Sequence, residues 1–114
     1  MQEYKLVRQG FAPLTFNGEI IGKGEIGNEQ SGVTIRIYRT KGNLYVAEIE
    51  RRNGRSPFND MPPYRNAAHA PSPDEIITFL KEGDDALGKA SQDAVEKACE
   101  NDKVFAGAWV EKID

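Results

Sequence analysis

The segment at residues 22–27, GKGEIG, comes closest in this sequence to a chemical motif, because it matches the G-x-G-x-x-G pattern of nucleotide-binding loops. In those loops the glycines bring backbone amides and the N-terminus of a helix against phosphate groups. Here a polar segment and then a second apolar run follow, with no helix pattern between them, and Glu25 and Glu29 would repel a phosphate. We therefore expect a bulged or flexible strand segment and predict no nucleotide cofactor.

His69 and Cys99 are the single histidine and the single cysteine of the sequence, so they make up the one nucleophilic pair available. Cys99 falls on the apolar side of a helical pattern, where cysteine usually acts as a small buried residue. His69 lies in a proline-rich segment, where we expect it to be exposed without a catalytic role. The carboxylates of Asp84-Asp85, Glu100 and Asp102 are expected to be solvated. We predict no catalytic residue, no metal and no cofactor.

A concentration of Arg and Tyr side chains in the middle of the chain is the remaining candidate for a site. Residues 31–71 carry seven basic and three acidic side chains, whereas residues 72–114 carry five basic and eleven acidic ones. Arginine and tyrosine are frequent in protein-protein hot spots, and they also hold phosphates and stack on bases. The predicted binding residues are Arg36, Tyr38, Arg39, Arg52, Arg55, Tyr64 and Arg65.

Three functions are compatible with this patch. The first is a small non-enzymatic protein-interaction module or regulator, of bacterial or phage origin, with a protein as its partner. The second is a nucleic-acid-binding module, which the sequence pI of about 5.2 and the interleaved Glu48 and Glu50 disfavour. The third is an unrecognised small enzyme. The patch also fits an ordinary solvated sheet face, or a region that attracts the acidic part of the chain within the fold.

We expect a cytoplasmic protein without membrane association, because the sequence has neither a long apolar run nor a signal-peptide pattern. At 114 residues, the chain has the length of a single domain.

Two apolar-polar alternations in the first half of the chain predict a β-hairpin over residues 33–50. A three-residue loop at 41–43 would pair Ile37 with Ala47 and Arg36 with Glu48, which leaves Ile35, Ile37, Ala47 and Ile49 on one apolar face. Asn17-Gly18 between two shorter apolar runs predicts another hairpin, with a type I′ turn. Together these strands predict an antiparallel sheet of three to five strands within residues 1–52.

The rest of the chain is predicted to be a loop followed by helices. Residues 53–71 contain Pro57, Pro62, Pro63 and Pro71, so we expect no regular element there. Ser72-Pro73-Asp74-Glu75 has the pattern of a helix start with a capping box, and Gly83 can end that helix. A second helix is predicted from Ala86 or Ser91 to Asn101, and residues 104–110 fit either a third helix or a last strand. The predicted fold is α+β, with the sheet covered on one face by two or three helices in residues 72–114.

The segment RIYRTKGNLYVAEIE, preceded by FNGEIIGKG, and the chain end VEKID resemble the plan of small bacterial proteins called EXLDI. The shared features are a Tyr-Arg-Thr segment at a hairpin and a short acidic-hydrophobic motif at the end of the chain. This chain departs from the pattern because it ends at Ile113-Asp114, without the final isoleucine. The resemblance covers about 25 residues, and it implies no particular activity because the family's function is itself obscure.

Overall fold

An antiparallel sheet followed by helices makes up the part of the chain that the structure describes. The structure is a computed structural model that describes residues 1–52, 54–55, 60–61, 63–83 and 87–110. The strands are β1 (Gln2–Leu6), β2 (Leu14–Gly27), β3 (Gly32–Thr40), β4 (Tyr45–Arg52), β5 (Gly54–Arg55), β6 (Asp60–Met61) and β7 (Tyr64–Ala70). The helices are α1 (Pro73–Glu82), α2 (Lys89–Asn101) and α3 (Lys103–Ala108). Five strands form one sheet in the order β1-β2-β3-β4-β7, and β5 pairs with β6. The predicted α+β fold is confirmed.

The β3-β4 hairpin has the predicted register. Ile37 lies opposite Ala47 and Arg36 opposite Glu48. The N–H of Thr40 donates to the carbonyl oxygen of Leu44 at 2.8 Å, which closes the three-residue loop expected at residues 41–43. Asn43 takes a positive φ of 62°, a conformation that asparagine tolerates better than most residues.

Strand β2 shows that the hairpin predicted at Asn17-Gly18 is wrong, because it continues through these residues as one strand of 14 residues. Its first part pairs with β1 and its later part with β3, so its two apolar runs have different neighbours and do not pair with each other. A Cβ atom on Gly18 would lie 2.5 Å from the carbonyl oxygen of Arg39. Glycine is therefore needed here because β3 passes close by, not because the chain turns.

Strand β7 contradicts the expectation of an irregular segment through residues 53–71. It pairs with β4 in antiparallel fashion, from Tyr64 opposite Arg51 to Ala70 opposite Tyr45. Prolines flank this stretch at positions 63 and 71, but none lies within it, so each of its residues keeps a backbone N–H. Residues 53, 56–59 and 62 lie outside the described part of the chain.

Helix α1 has the predicted boundaries, and the structure decides between the alternatives left open for the other two helices. Helix α1 has Ser72 as its N-cap and Gly83 as its C-cap. The predicted capping box is not formed, because the Ser72 side chain bonds no backbone N–H at the helix start; its hydroxyl instead donates to Glu75 Oε2 at 3.2 Å. Helix α2 begins at Lys89, between the two predicted starts, and residues 103–108 form a helix instead of a strand.

Helix α2 packs directly on β2, and the glycines of GKGEIG make this contact possible. A Cβ atom on Gly22 would lie 2.2 Å from the carbonyl oxygen of Ala94, and one on Gly24 would lie 1.8 Å from that of Ala90. The expected bulge is present, as a register shift between Ile20 and Gly22. The close approach of a helix backbone is the additional reason for the glycines, and a single-sequence pattern does not reveal it.

The two faces of the sheet carry separate clusters of buried residues. We call the face that contacts the helices the helix side; its centre is the predicted apolar set, Ile35, Ile37, Ala47 and Ile49. We call the opposite face the open side; its buried residues are Leu6, Tyr38, Val46 and Ala67.

Candidate binding cleft

The open side is apolar toward β1 and the first part of β2. There the ring of Tyr38 packs edge-on against Tyr4 and Phe16, with centroids 4.8 Å and 5.1 Å apart. Tyr38 is only 2% exposed, and its hydroxyl donates to Glu48 Oε1 at 2.9 Å. Burial, assisted by the Glu48 carboxylate, raises the pKa of Tyr38 above its ordinary value. The expectation that Tyr38 lies on a binding surface is therefore wrong, because the ring is part of a core.

The other end of the open side is a cluster of arginines around Glu50. The Glu50 carboxylate lies 2.7 Å from Arg65 Nη2, 3.7 Å from Arg52 Nη1 and 3.8 Å from Arg36 Nη1. Arg36 also bonds Glu48 at 3.1 Å. The strand registers produce this convergence, since Glu50 lies opposite Arg65 in β7 and Arg36 lies opposite Glu48 in β4.

A cleft of about 900 Å³ lies beside this cluster, and we call it the Glu50 cleft. One wall is the turn between β2 and β3, where the Asn28 side chain accepts hydrogen bonds from the backbone N–H groups of Gln30 and Ser31, both at 2.9 Å. The cleft is lined by Asn28, Glu29, Gln30, Ser31, Glu50, Arg51, Arg52, Pro63 and Arg65.

Arg52 connects the sheet to the turn wall. Its Nε donates to the carbonyl oxygen of Asn28 at 2.9 Å, and its Nη1 donates to the Thr34 hydroxyl. That hydroxyl in turn donates to Glu25 Oε2 at 3.1 Å. Arg52 is therefore held in place from several directions, which makes it a support of the cleft.

Arg65 differs from Arg52 because its side chain is 50% exposed. The hydrogen bond to Glu50 uses Nη2, and a guanidinium has five N–H donors in total. Arg65 is thus the arginine of the cluster most accessible to a ligand in the cleft.

The remaining predicted site residues lie elsewhere. Arg39 is on the helix side, between Glu19 at 2.7 Å and Asp102 at 3.2 Å. Tyr64 is also on the helix side, where the Arg51 guanidinium lies 5.3 Å from its ring centroid. Arg55 lies in the short strand β5. Of the predicted site residues, the structure therefore brings only Arg36, Arg52 and Arg65 together. Tyr38 is buried on the open side, Arg39 and Tyr64 lie on the helix side, and Arg55 lies in β5.

Asp102 contradicts the expectation of a solvated carboxylate. It is 4% exposed and caps α3, where it accepts hydrogen bonds from the backbone N–H groups of Val104 and Phe105. The hydroxyl of Tyr45 donates to the same carboxylate at 3.1 Å. Burial, with the charge of Asp102, raises the pKa of Tyr45. Asp102 thus joins the helices to the sheet, and Asp84-Asp85 lie outside the described residues.

His69 and Cys99 are separated by the sheet. Cys99 packs against the helix-side core, where its thiol lies 3.6 Å from the carbonyl oxygen of Phe105, and burial raises its pKa. His69 is exposed on the open side, opposite Val46. The nucleophilic pair considered from the sequence is therefore not formed within one chain.

Among the described residues, no group of three or more His, Cys, Asp or Glu side chains is arranged to hold a metal ion. No helix in residues 73–82, 89–101 or 103–108 is long and apolar enough to cross a membrane.

Comparisons with protein-family models, with curated proteins and with solved structures find no match for this chain. The resemblance to the EXLDI proteins stays a prediction.

Sequence reasoning identified Arg52 and Arg65 but missed Glu50 as the centre of the cluster. The alternation of Glu50 with Arg52 on one strand face was visible in the sequence. The pairing of Glu50 with Arg65 was not, because it depends on β7, which the flanking prolines concealed.

Proposed function

We propose that this protein is a small non-enzymatic interaction module and that the Glu50 cleft receives a segment of a protein partner. The observation that supports this proposal is the position of Arg65. Its half-exposed guanidinium borders a cleft of about 900 Å³ while Glu50 restrains one of its nitrogens. A restrained arginine at a concave surface loses little conformational freedom on binding, and such arginines are frequent hot spots in protein interfaces.

The charge balance of the cleft favours a protein over a nucleic acid. Arg36, Arg52 and Arg65 each have a guanidinium nitrogen within 3.8 Å of Glu50. Glu50, together with the Arg36 partner Glu48, offsets two of these three positive charges, whereas binding to a polyanion draws on several uncompensated basic groups. Hydrogen-bond donors with only a small excess of positive charge fit the mixed polar and acidic side chains of a protein surface.

The proposal can be tested with an Arg65→Glu variant and a matched control. Lys97→Glu is suitable as the control because Lys97 is 61% exposed on α2 and has an ion pair of its own with Glu100 at 3.0 Å. Both variants and the wild type serve as baits for affinity purification with quantitative mass spectrometry. We expect a set of proteins that the wild type and Lys97→Glu retain and that Arg65→Glu loses. Equal recovery with all three baits would remove the cleft from consideration.

A gel-shift experiment separates this proposal from the nucleic-acid alternative. At low salt, we expect no shift of single-stranded or double-stranded probes by the wild type. A shift that weakens steeply with added salt and disappears in Arg65→Glu would support the alternative instead.

A further inference from the structure

Strand β7 is an outer strand of the sheet, and its backbone has groups that point away from the fold. The N–H of Gln9 donates to the carbonyl oxygen of Arg65 at 3.1 Å, from the side opposite β4. Backbone direction alternates along a strand, so the N–H and C=O groups of Ala67 and His69 point the same way as those of Arg65.

Only part of this edge is occupied by the chain itself. The N–H of Ala67 is bonded to the Asn66 side chain at 2.9 Å. No backbone hydrogen bond from a turn or loop of the described residues reaches the carbonyl oxygen of Ala67 or either backbone group of His69. Such groups are the attachment points for an added strand.

A hollow of about 330 Å³ lies directly beside these groups. Phe11 is 68% exposed at this hollow, and the Arg8 guanidinium lies 5.6 Å from its ring centroid. The hollow is lined by Arg8, Phe11, Asn66, Ala67, Ala68 and His69. An added strand directs alternate side chains to the same face, so an apolar side chain of that strand could lie against Phe11. Neither this hollow nor the Glu50 cleft includes a residue of β1, the other edge strand.

The charges along the edge indicate the chemistry of the occupant. Arg8 lies in the hollow and Arg65 lies at the far end of the edge, while none of the residues lining the hollow is acidic. His69 and Arg65 are four residues apart, which corresponds to about 13 Å along a strand. A segment that pairs at His69 therefore extends to Arg65 within a few residues. Antiparallel pairing of β7 with a second copy of itself about Ala67 would instead set basic side chains opposite each other.

We propose that an extended, acidic segment of the partner protein adds to the sheet at β7. The segment pairs with the backbone of Ala67 and His69, and one of its carboxylates reaches Arg65 at the Glu50 cleft. This inference rests on the proposed function, because it names the kind of partner segment that the cleft would receive. The Gln9 contact limits strand pairing to the Ala67–His69 part of the edge.

The test uses a display library of random dodecapeptides, selected on the wild-type chain. His69→Pro removes the outward N–H without removing a bond to β4, and a proline is tolerated at such an edge position. His69→Ala keeps that N–H and is the matched control. We expect the selected peptides to be rich in Asp and Glu. Their affinity is expected to fall about tenfold or more in His69→Pro and to change less than about twofold in His69→Ala.

A second measurement leaves the protein unchanged, in case His69→Pro does not fold. The selected peptides are synthesised as two methylated series, one with N-methyl groups on the odd-numbered amides and one with them on the even-numbered amides. Only one of these two sets of amides faces β7, so one series is expected to bind the wild type about tenfold more weakly and the other to bind it normally.

The outcomes separate the two proposals. If Arg65→Glu abolishes binding but His69→Pro and both methylated series bind normally, strand addition is overturned while the proposed function stands. Peptides that are indifferent to Arg65→Glu overturn the proposed function. A selection that yields no binding peptide overturns strand addition. Light scattering provides a further check. If the wild type is a dimer and His69→Pro is a monomer, the added strand comes from a second copy of this chain, and the proposal of an acidic partner segment is overturned.

Discussion

Two carboxylates, Asp102 on the helix side of the sheet and Glu50 on the open side, have different surroundings. On the helix side, Asp102 is almost fully enclosed, and backbone N–H groups, a tyrosine hydroxyl and Arg39 all donate to it. On the open side, Glu50 shares arginines that keep part of their surface in water. An enclosed carboxylate with several donors holds elements together, whereas a partly hydrated cluster can exchange a protein contact for a ligand contact. The Asp102 cluster therefore joins elements of the fold, and the Glu50 cluster is where we propose that a partner binds.

The largest effect is expected from Gly24→Val, which tests the close packing of the helix side. Any Cβ atom at this position would lie 1.8 Å from a backbone oxygen of α2, and neither backbone can yield without separating the helix from the sheet. We expect a loss of about 3 kcal/mol or more in the free energy of unfolding, measured by urea denaturation. Gly107→Ala is the control, because a Cβ there has no neighbour within 4 Å. It should stabilise α3 by up to about 1 kcal/mol. A Gly24→Val protein as stable as the wild type would contradict the packing described for α2.

The next largest effect is the difference in the free energy of unfolding between variants of Asp102 and of Glu50. Asp102→Ala removes the cap of α3 and leaves the buried Tyr45 hydroxyl without its acceptor, while Arg39 keeps only its bond to Glu19, so we expect a loss of about 3 kcal/mol. Glu50→Ala should cost about 1 kcal/mol or less, because its arginines remain in contact with water. Asp102→Asn keeps a capping oxygen and should fall between the two. Urea denaturation of the three variants measures the difference, and equal losses for Asp102→Ala and Glu50→Ala would remove the distinction between the two carboxylates.

The smallest effect appears at alkaline pH and involves one buried tyrosine on each face. The fold raises the pKa of Tyr38 and of Tyr45, so their neutral forms stabilise the folded state below about pH 10, the ordinary tyrosine value. As pH rises above that value, the unfolded chain loses these protons first and stability falls. Each tyrosine contributes a slope of up to about 1.4 kcal/mol per pH unit.

Tyr38→Phe and Tyr45→Phe should each reduce this alkaline slope, and the double variant should reduce it further. Urea midpoints measured between pH 9 and pH 11 provide the comparison. A variant whose slope equals that of the wild type would show that its tyrosine does not titrate with unfolding.

The elements that sequence patterns predicted correctly depend on neighbours in the chain. The register of the β3-β4 hairpin follows from alternation and a short loop, and the ends of α1 follow from Ser72 and Gly83. The wrong predictions concern residues whose partners are distant. Asn17-Gly18 has the residue types of a turn, but the residues before it pair with β1 and those after it pair with β3. Asp102 looked solvated because its donor Tyr45 is 57 residues away in the chain.

In the candidate site, too, some features follow from the sequence and others depend on distant partners. Arg52 and Arg65 stood out by composition, whereas Tyr38 and Arg39, next to each other in sequence, face opposite sides of the sheet. Glu50 became the centre of the cluster only through β7, which a prediction based on flanking prolines placed in a loop.

By itself, the sequence determined the fold class, the central hairpin and the ends of α1, because periodicity, turn residues and flanking Ser72 and Gly83 act over a few residues. Tertiary structure alone decided why GKGEIG contains glycines, which arginines converge and which part of the β7 edge the chain itself covers. Each of these depends on how closely distant backbones approach, and that distance is set by the packing of α2 and β7 on strands far away in the chain.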